Sequence, residues 1–526
     1  MSLASTPRPP ARRAAPSAAT RASRNSFTAW LQKALGLLLA WLVVLPALAA
    51  DDGALRIGSK RFTEAYVLAQ VLAQTAAPHA RTEVLAGLGN TAIVYEALRS
   101  GRIDLYPEYL GTIDQEILKN PAPTSVDAMN RQLAPLGFGV AIPLGFNDGY
   151  ALAMREADAQ RLGIRRLSDL AAHPALRLGL SNEFIGRQDG WPGLQQRYRL
   201  PQRPSGIDHG LAYDALARGQ IDVMDIYTTD AKIGHLGLRV LEDDGGYFPR
   251  YDAVVLYRLD VPQRFPAAWQ ALQGLAGSID EREMIAMNAR AELDSVPFEQ
   301  IARDHLAGRA ATAGQAPRGL AAKLFGPDLP RLALQHLGLV LASVAAAIVI
   351  GVPLAVAVAA RPLARSWVLG LTGIFQTVPS LAMLAVLIWA LGRIGTVPAL
   401  AALTLYALLP IVRNTCTGLA EVPAGLKQAG MALGLVRGDV RRHVELPLAL
   451  PTIVAGVRTA TVICVGTATL AAFIGAGGFG ERIVTGLALN DNQMMLAGAL
   501  PSAALALLFE ALFELGERRW LRRHLR

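Results

Sequence analysis

Cysteine, charge and aromatic rings are all scarce in this chain of 526 residues: two cysteines, 18% charged residues and 6% aromatics. The two cysteines, Cys416 and Cys464, both lie in apolar stretches, and residues 51–315 contain none, which excludes a disulfide framework there. Both read as small apolar filler. No Gly-rich loop ends in Gly-Lys-Ser/Thr, so no nucleotide-phosphate cradle of that kind is present. The eight histidines are scattered: His209, His443 and His524 share no metal-ligand spacing. No nucleophile–base constellation or nucleic-acid motif stands out. The expectation is a protein that is not an enzyme, without a cofactor or metal and without a nucleic-acid partner.

What is abundant is apolar: 52% of residues are hydrophobic, and the mean hydropathy is +0.31. That leans toward a membrane protein. The formal charge of +9 is a sum of unlike parts. Residues 1–50 carry Arg8, Arg12, Arg13, Arg21, Arg24 and Lys33 and no acid. Acids outnumber bases in 51–315, whereas bases outnumber acids two to one in 316–526. The basic excess thus lies beside apolar segments, where anionic lipid and the positive-inside bias account for it.

The order of segments comes from composition. Residues 1–33 are rich in Pro, Ala, Ser and Arg and read as disordered, and 34–50 are apolar and end in small residues. Together, 1–50 form a basic leader with a cleaved signal peptide or an uncleaved anchor helix, and either one exports the domain that begins at 51. Residues 51–313 alternate short strands (55–58, 82–86, 103–106, 150–154, 176–180, 223–226 and 254–257) with helical stretches such as 62–73 and 91–100. This predicts an α/β domain with mostly parallel sheets in two lobes, crossed near 143–149 and again near 249–253, with a cleft between them. A linker at 314–330, rich in Gly, Pro and Ala, leads to an all-α membrane domain at 331–518 and a basic tail at 519–526.

Five segments in that domain are long and apolar enough to span: about 334–360, 367–391, 396–412, 448–474 and 493–516. Basic groups are rich, poor, rich, poor and rich in the loops and tail after successive spans, so the first span starts outside and the last ends inside. The α/β domain is then outside too. Gly351, Pro353 and Gly466 in the spans permit close helix packing, and no carboxylate relay is evident in them. Residues 413–447 (RNTCTGLAEVPAGLKQAGMALGLVRGDVRRHVELP) are a polar, basic island between two apolar runs, with a short helix-forming middle at 423–434. Such a loop belongs in the cytoplasm, where it can present a helix to a partner.

In the exported domain, tyrosines recur where strands end and a cleft opens: Tyr106, Tyr109, Tyr150, Tyr227 and Tyr251. A cation without N–H donors cannot be held by hydrogen bonds to its head, but ring faces hold it at ~0.5–2 kcal/mol each when desolvated. Asp148 adds charge. A carboxylate at the ligand's other end would suit Lys60, Arg61 or backbone N–H groups, and a hydroxyl would suit a Thr or Asn182. Arg187 and Asp189 fit a structural ion pair equally well.

The runs 58–64 (GSKRFTE), 101–112 (GRIDLYPEYLGT), 143–150 (PLGFNDGY) and 189–193 (DGWPG) resemble osmoprotectant-type binding proteins. The runs 376–380 (QTVPS), 406–414 (YALLPIVRN), 445–447 (ELP) and 475–480 (GAGGFG) resemble their permeases. The chain therefore resembles the glycine betaine/carnitine/choline class of ATP-binding-cassette (ABC) importers, with receptor and permease fused. That resemblance implies a type II periplasmic-binding-protein fold, then a permease in a bacterial inner membrane, with the receptor in the periplasm or outside. It implies a trimethylammonium cage of Tyr109, Tyr150, Tyr227 and Tyr251, with Asp148 near the head and Thr91 and Thr112 as polar contacts. It makes 413–447 the coupling loop, whose usual Glu-Ala-Ala, three residues, Gly pattern reads here Gln428, Ala429, Gly430 and then Gly434, with Leu446 and Pro447 after it. The usual acidic residue is thus replaced. A separate ATPase subunit in two copies and a homodimer of this chain are the implied partners. Ergothioneine or another trimethylated amino-acid derivative is the alternative ligand. A non-ABC carrier or a membrane sensor is the alternative architecture.

Overall fold

The computed structural model describes residues 53–308 and 319–524, so the predicted leader and signal or anchor segment in 1–50 lie outside the described residues. The N-terminal half holds ten strands: β1 Leu55–Gly58, β2 Thr82–Leu85, β3 Leu105–Tyr109, β4 Phe138–Ala141, β5 Tyr150–Arg155, β6 Gly179–Ser181, β7 Ser205–Ile207, β8 Val223–Tyr227, β9 Leu238–Val240 and β10 Ala253–Arg258. The first lobe is built on a five-stranded sheet in the order β2-β1-β3-β10-β4, and the second on β8-β5-β9 with a β6-β7 pair beside it. The chain enters the second lobe before β5 and returns before β10, close to the two predicted crossings. The helices Glu281–Glu292 and Phe298–Leu306 then pack back onto the helix Thr63–Ala76 of the first lobe.

The expectation of mostly parallel sheets is corrected. β1 pairs β2 and β3 in parallel, as β6 pairs β7. However, β10 runs antiparallel to both β3 and β4, and β5 antiparallel to β8 and β9. The reason is topological. The strands immediately after each crossing, β5 and β10, insert between other strands of their sheets and run against their neighbours.

Helix starts in this half are set by short polar caps. Asn90 accepts from the N–H of Ile93 at 3.3 Å, Ser181 from Phe184 at 3.2 Å, and Asp208 from Gly210 at 3.1 Å. Each satisfies a backbone donor that the first turn would leave unpaired. All three caps lie at the cleft between the lobes.

In the C-terminal half, four helices are long and apolar enough to cross a membrane: Leu329–Val358, Thr396–Glu421, Arg437–Ile474 and Asn492–Arg518. The expected second span is instead two helices, Pro362–Thr377 and Ser380–Leu391, bent by 103°. Among the described residues the count is therefore four, or five if that bent pair crosses. The break has a local cause: Val378 is extended (φ −66°, ψ 128°), because the ring of Pro379 disfavours the helical region for the residue before it. Ala347, Ala407, Ile411, Ala460 and Cys464 are fully buried at the helix contacts. A Cβ on Gly456 would stand 2.8 Å from the carbonyl oxygen of Pro410, so glycine is what lets these two helices approach. Within the spans, Arg458 pairs with Glu510, and its other nitrogen lies 3.9 Å from Glu517. This pins two spans together; with Glu510 43% and Glu517 48% exposed, it is an ion pair on the helix surface and not a buried carboxylate relay.

Both lobes touch the membrane half. From the first lobe, the Arg102 guanidinium donates to the Gly475 carbonyl, and that of Arg61 lies 4.8 Å from the Phe473 ring centroid. From the second, Lys232 Nζ donates to the Leu489 carbonyl at 3.4 Å.

Candidate functional site

Strand ends and crossings deliver aromatic side chains to one place between the lobes. Tyr109 ends β3 and Tyr227 ends β8. Tyr150 opens β5 opposite Tyr227 in the strand register, and Tyr251 lies in the return crossing, where its N–H donates to Asn147 Oδ1 at 2.8 Å. Ring centroids lie 5.1 Å apart for Tyr150 and Tyr227 and 5.6 Å for Tyr150 and Tyr251. Phe62 joins them from the first lobe, 5.0 Å from Tyr227 and 6.2 Å from Tyr109. Tyr106 does not belong. Side chains alternate along a strand, so Tyr106 faces the opposite side of β3 and packs with Leu98, Ile103 and Leu256.

Polar groups hold these rings in place. The Tyr251 hydroxyl donates to Asp189 Oδ2 at 2.8 Å. That carboxylate also grips Arg187 with two hydrogen bonds, at 2.8 and 2.5 Å. Arg187 donates to Thr112 Oγ1 at 3.2 Å and lies 5.3 Å from the Tyr150 ring centroid. The Arg187–Asp189 pair is thus present, buried, and built into the aromatic wall. The Tyr109 hydroxyl donates to Glu64 Oε1 at 2.5 Å, and Asp148 Oδ1 accepts from the Thr229 hydroxyl at 2.8 Å. Asp148 is therefore engaged in a protein hydrogen bond rather than standing free as an exposed charge. Burial, then the neighbouring Glu64 charge, push its carboxyl well above the ordinary range.

A cavity of about 160 Å³ adjoins the aromatic cluster, lined among others by Lys60, Phe62, Asn182, Glu183, His209 and Tyr227. The capped helix starts at Asn90, Ser181 and Asp208 border it, and Ala488 of the membrane half closes one side. Thr91 bridges the lobes by donating to Glu183 Oε1 at 2.9 Å. Of the predicted ligand residues, Tyr109, Tyr150, Tyr227, Tyr251, Asp148 and Thr112 gather around the rings. Asn182 lines the cavity, and Thr91 sits at its border through Glu183. Sequence reasoning missed Phe62, His209 and Glu64. Phe62 and Glu64 lie inside the 58–64 run, directly after β1, and strand-end position is the signal that marks them. His209 lies 4.7 Å from Tyr227 by ring centroids and pairs with Asp230 at 3.0 Å. Burial disfavours its charge, but Asp230 and Asp225 outweigh this and raise it to about 9.

The second surface is the basic island. Gln428, Ala429 and Gly430 lie on the helix Ala424–Ala432, and Gly434 turns the chain at φ +91°. Leu446 and Pro447 open the next span. Gln428 and Ala429 face outward, while Gly430 is buried. A Cβ there would meet Val440 at an ordinary 3.4 Å, so the departure from alanine is sterically mild. Leu433 is 85% exposed and Val436 65% exposed on the same loop.

A two-lobed receptor with an aromatic cleft, joined to membrane-spanning helices that present an exposed loop helix, has the build of an importer subunit. Residues 53–308 match the family described as the substrate binding domain of ABC-type glycine betaine transport systems. Residues 347–522 match the binding-protein-dependent transport system inner membrane component. The chain is 33% identical over 280 residues to the ergothioneine transport permease/ergothioneine binding protein EgtU of Helicobacter pylori, across 51% of this chain and half of that relative's length. It is 42% identical over 185 residues to the glycine betaine/carnitine/choline transport system permease protein OpuCB of Bacillus subtilis, across 35% of this chain and 85% of that protein. A crystal structure of a glycine betaine/carnitine/choline ABC transporter aligns with 48% of this chain and 98% of its own, at TM-score 0.42 and 24% identity. The chain belongs to the osmoprotectant-type ABC importer family, as a binding domain and a permease fused in one polypeptide.

Proposed function

We propose that this protein captures a quaternary ammonium compound outside the bacterial inner membrane and passes it inward when a separate ATPase subunit hydrolyses ATP. The observation that carries the reading is the five-ring cluster of Phe62, Tyr109, Tyr150, Tyr227 and Tyr251, contributed by both lobes and both crossings. Ring faces attract a methylated ammonium and do not repay the dehydration of a small hard cation. The adjoining cavity offers a different chemistry. Arg61 borders it, with the N-terminal ends of the helices Thr91–Arg99 and His209–Ala217, while Lys60 is paired with Glu108 and the acids Glu183 and Asp208 line it too; helix N-termini favour negative charge. An aromatic end beside a positive end suits a zwitterion, such as glycine betaine or carnitine, over choline.

Ergothioneine is the second reading, and similarity to the EgtU relative favours it. It too joins a trimethylammonium to a carboxylate, so one cleft chemistry serves both. Two ATPase copies under a symmetric pair of these chains form the simplest closed assembly, each chain offering its Ala424–Ala432 helix. The contacts of Arg61, Arg102 and Lys232 with the membrane half support transfer within one chain. The domain limits 51–313, 314–330 and 331–518 are part of the same proposal.

The test is calorimetry on the full chain in lipid nanodiscs with glycine betaine, carnitine, choline, ergothioneine and a plain amino acid. Binding of the methylated ligands and not of the plain amino acid is expected; the reverse order overturns the cage. Uptake into vesicles containing this chain without any ATPase would overturn the ABC reading.

A further inference from the structure

Three oxygens at the lobe junction make a chain with too few hydrogens. Thr229 Oγ1 lies 2.5 Å from Glu64 Oε2 and 2.8 Å from Asp148 Oδ1. A hydroxyl carries one hydrogen and donates once, so two ionised carboxylates cannot both be bonded to it. One of them must hold a proton and donate to the threonine oxygen. Both carboxyls accept a further N–H at 3.3 Å, Asp148 Oδ1 from the Thr229 backbone and Glu64 Oε2 from Asn288 Nδ2. The two carboxyls thus hold one proton between them through the threonine: the member that carries it donates to Thr229 Oγ1, and the threonine hydroxyl donates on to the other. The Tyr109 hydroxyl meets the other Glu64 oxygen at 2.5 Å.

The three groups come from three parts of the receptor. Glu64 starts the first-lobe helix Thr63–Ala76, Asp148 lies in the outgoing crossing, and Thr229 comes just after β8 in the second lobe. Thr229 and Asp148 are held side by side by the Gly149–Thr228 pairing, and the Thr229–Glu64 contact is what joins them to the first-lobe helix. We propose that Glu64, Thr229 and Asp148 form a proton-binding site that fills on closure, so that the receptor takes up one proton with each ligand it captures. This rests on the proposed role as a receptor. The proton balance is simple: a proton from solvent adds to the Glu64–Asp148 carboxylate pair as it leaves water, and returns when the lobes part.

The surroundings agree. Facing Glu64 are Tyr109 from β3, Asp148, Asp230 beyond Thr229, and Asn288 from the helix Glu281–Glu292, whose Nδ2 lies 3.3 Å from Glu64 Oε2. Glu292 of that helix is held by Thr63 at 2.6 Å. The nearby cations are committed elsewhere: Lys60 to Glu108 and His209 to Asp230, while Lys232 acts on Glu292. Burial therefore dominates and raises Glu64 from 4.5 to about 7, against the lowering effect of its hydrogen bonds to Thr229, Tyr109 and Asn288. A carboxyl raised in the closed form stabilises closure fully below its open-state value, and that contribution is lost as pH rises through about 7.

The test is titration of the full chain in nanodiscs with glycine betaine, in two buffers of different ionisation enthalpy. Close to one proton is expected to be taken up at about pH 6, with affinity falling nearly tenfold per unit between about pH 5 and 7 and levelling above. Glu64→Gln, whose amide N–H takes the place of the acid O–H, is expected to bind with no proton uptake and a flat pH profile. Equal heats in both buffers for the wild type, or unchanged uptake in Glu64→Gln, overturn the proton site. If no methylated ligand binds, the receptor reading fails separately. The proton site is then read in the ligand-free protein by infrared spectroscopy, as a carboxylic-acid band lost as pH rises and missing in Glu64→Gln. A wild type with no such band overturns it.

Discussion

Phe62 of the first lobe and Tyr227 of the second stack with centroids 5.0 Å apart and planes 29° from parallel. The pair spans the cleft, so each ring both lines the cavity between the lobes and holds the lobes in register. Phe62→Ala and Tyr227→Ala are each expected to weaken a trimethylammonium ligand by roughly tenfold, the effect of losing one ring face worth about 1–2 kcal/mol. Calorimetry with glycine betaine measures this. Unchanged affinity in both variants would remove these rings from the site.

Arg187 is nearly fully buried, and its charge is balanced by Asp189. Arg187→Met strands that carboxylate and is expected to cost about 3–5 kcal/mol of receptor stability. The double change Arg187→Met with Asp189→Asn removes both charges and should recover part of the loss. Thermal melting of the wild type and the two variants, tracked by near-ultraviolet circular dichroism, gives the comparison.

His209 carries a charge held by Asp230, raised to about 9 although burial opposes it. A raised histidine contributes stability that is fully present below about 6.5 and is lost as pH rises through about 9. Denaturation midpoints measured from about pH 6 to 10 should fall over that window in the wild type. His209→Gln should flatten the fall.

Leu433 projects from the basic loop at 413–447 with 85% of its surface exposed, an arrangement that suits docking of a partner. Leu433→Asp is expected to abolish co-purification with the partner ATPase while leaving ligand affinity unchanged. Pull-down and calorimetry on one preparation decide it.

Arg102 joins the receptor to the permease through the Gly475 carbonyl. Arg102→Ala is expected to reduce ATP-driven uptake in reconstituted vesicles without altering ligand affinity, because Arg102 lies outside the aromatic cluster. Full transport in that variant would show that the contact carries no function.

The apolar spans, the α/β half and the tyrosines at strand ends were legible because each is a local property. A run of apolar residues, a two-residue alternation or a motif is complete within a few turns of chain. The period-two rule also separates Tyr109 from Tyr106 once β3 is known to run through both. The antiparallel course of β5 and β10 was not legible, since strand direction depends on where the chain re-enters a sheet. Nor was the 103° bend between the helices at 362–377 and 380–391: Val378-Pro379 marks a break, but proline alone does not fix its angle.

Composition and motif order determined that this chain is a receptor joined to a permease, because hydropathy and charge act on the chain wherever it lies. Which side chains share a site was decided only by tertiary structure. Glu64, Asp148 and Thr229 are 84 and 81 residues apart in succession, and nothing local marks them as partners. Closure of two lobes removes water from all three at once, and dehydration makes their shared proton a property of the fold.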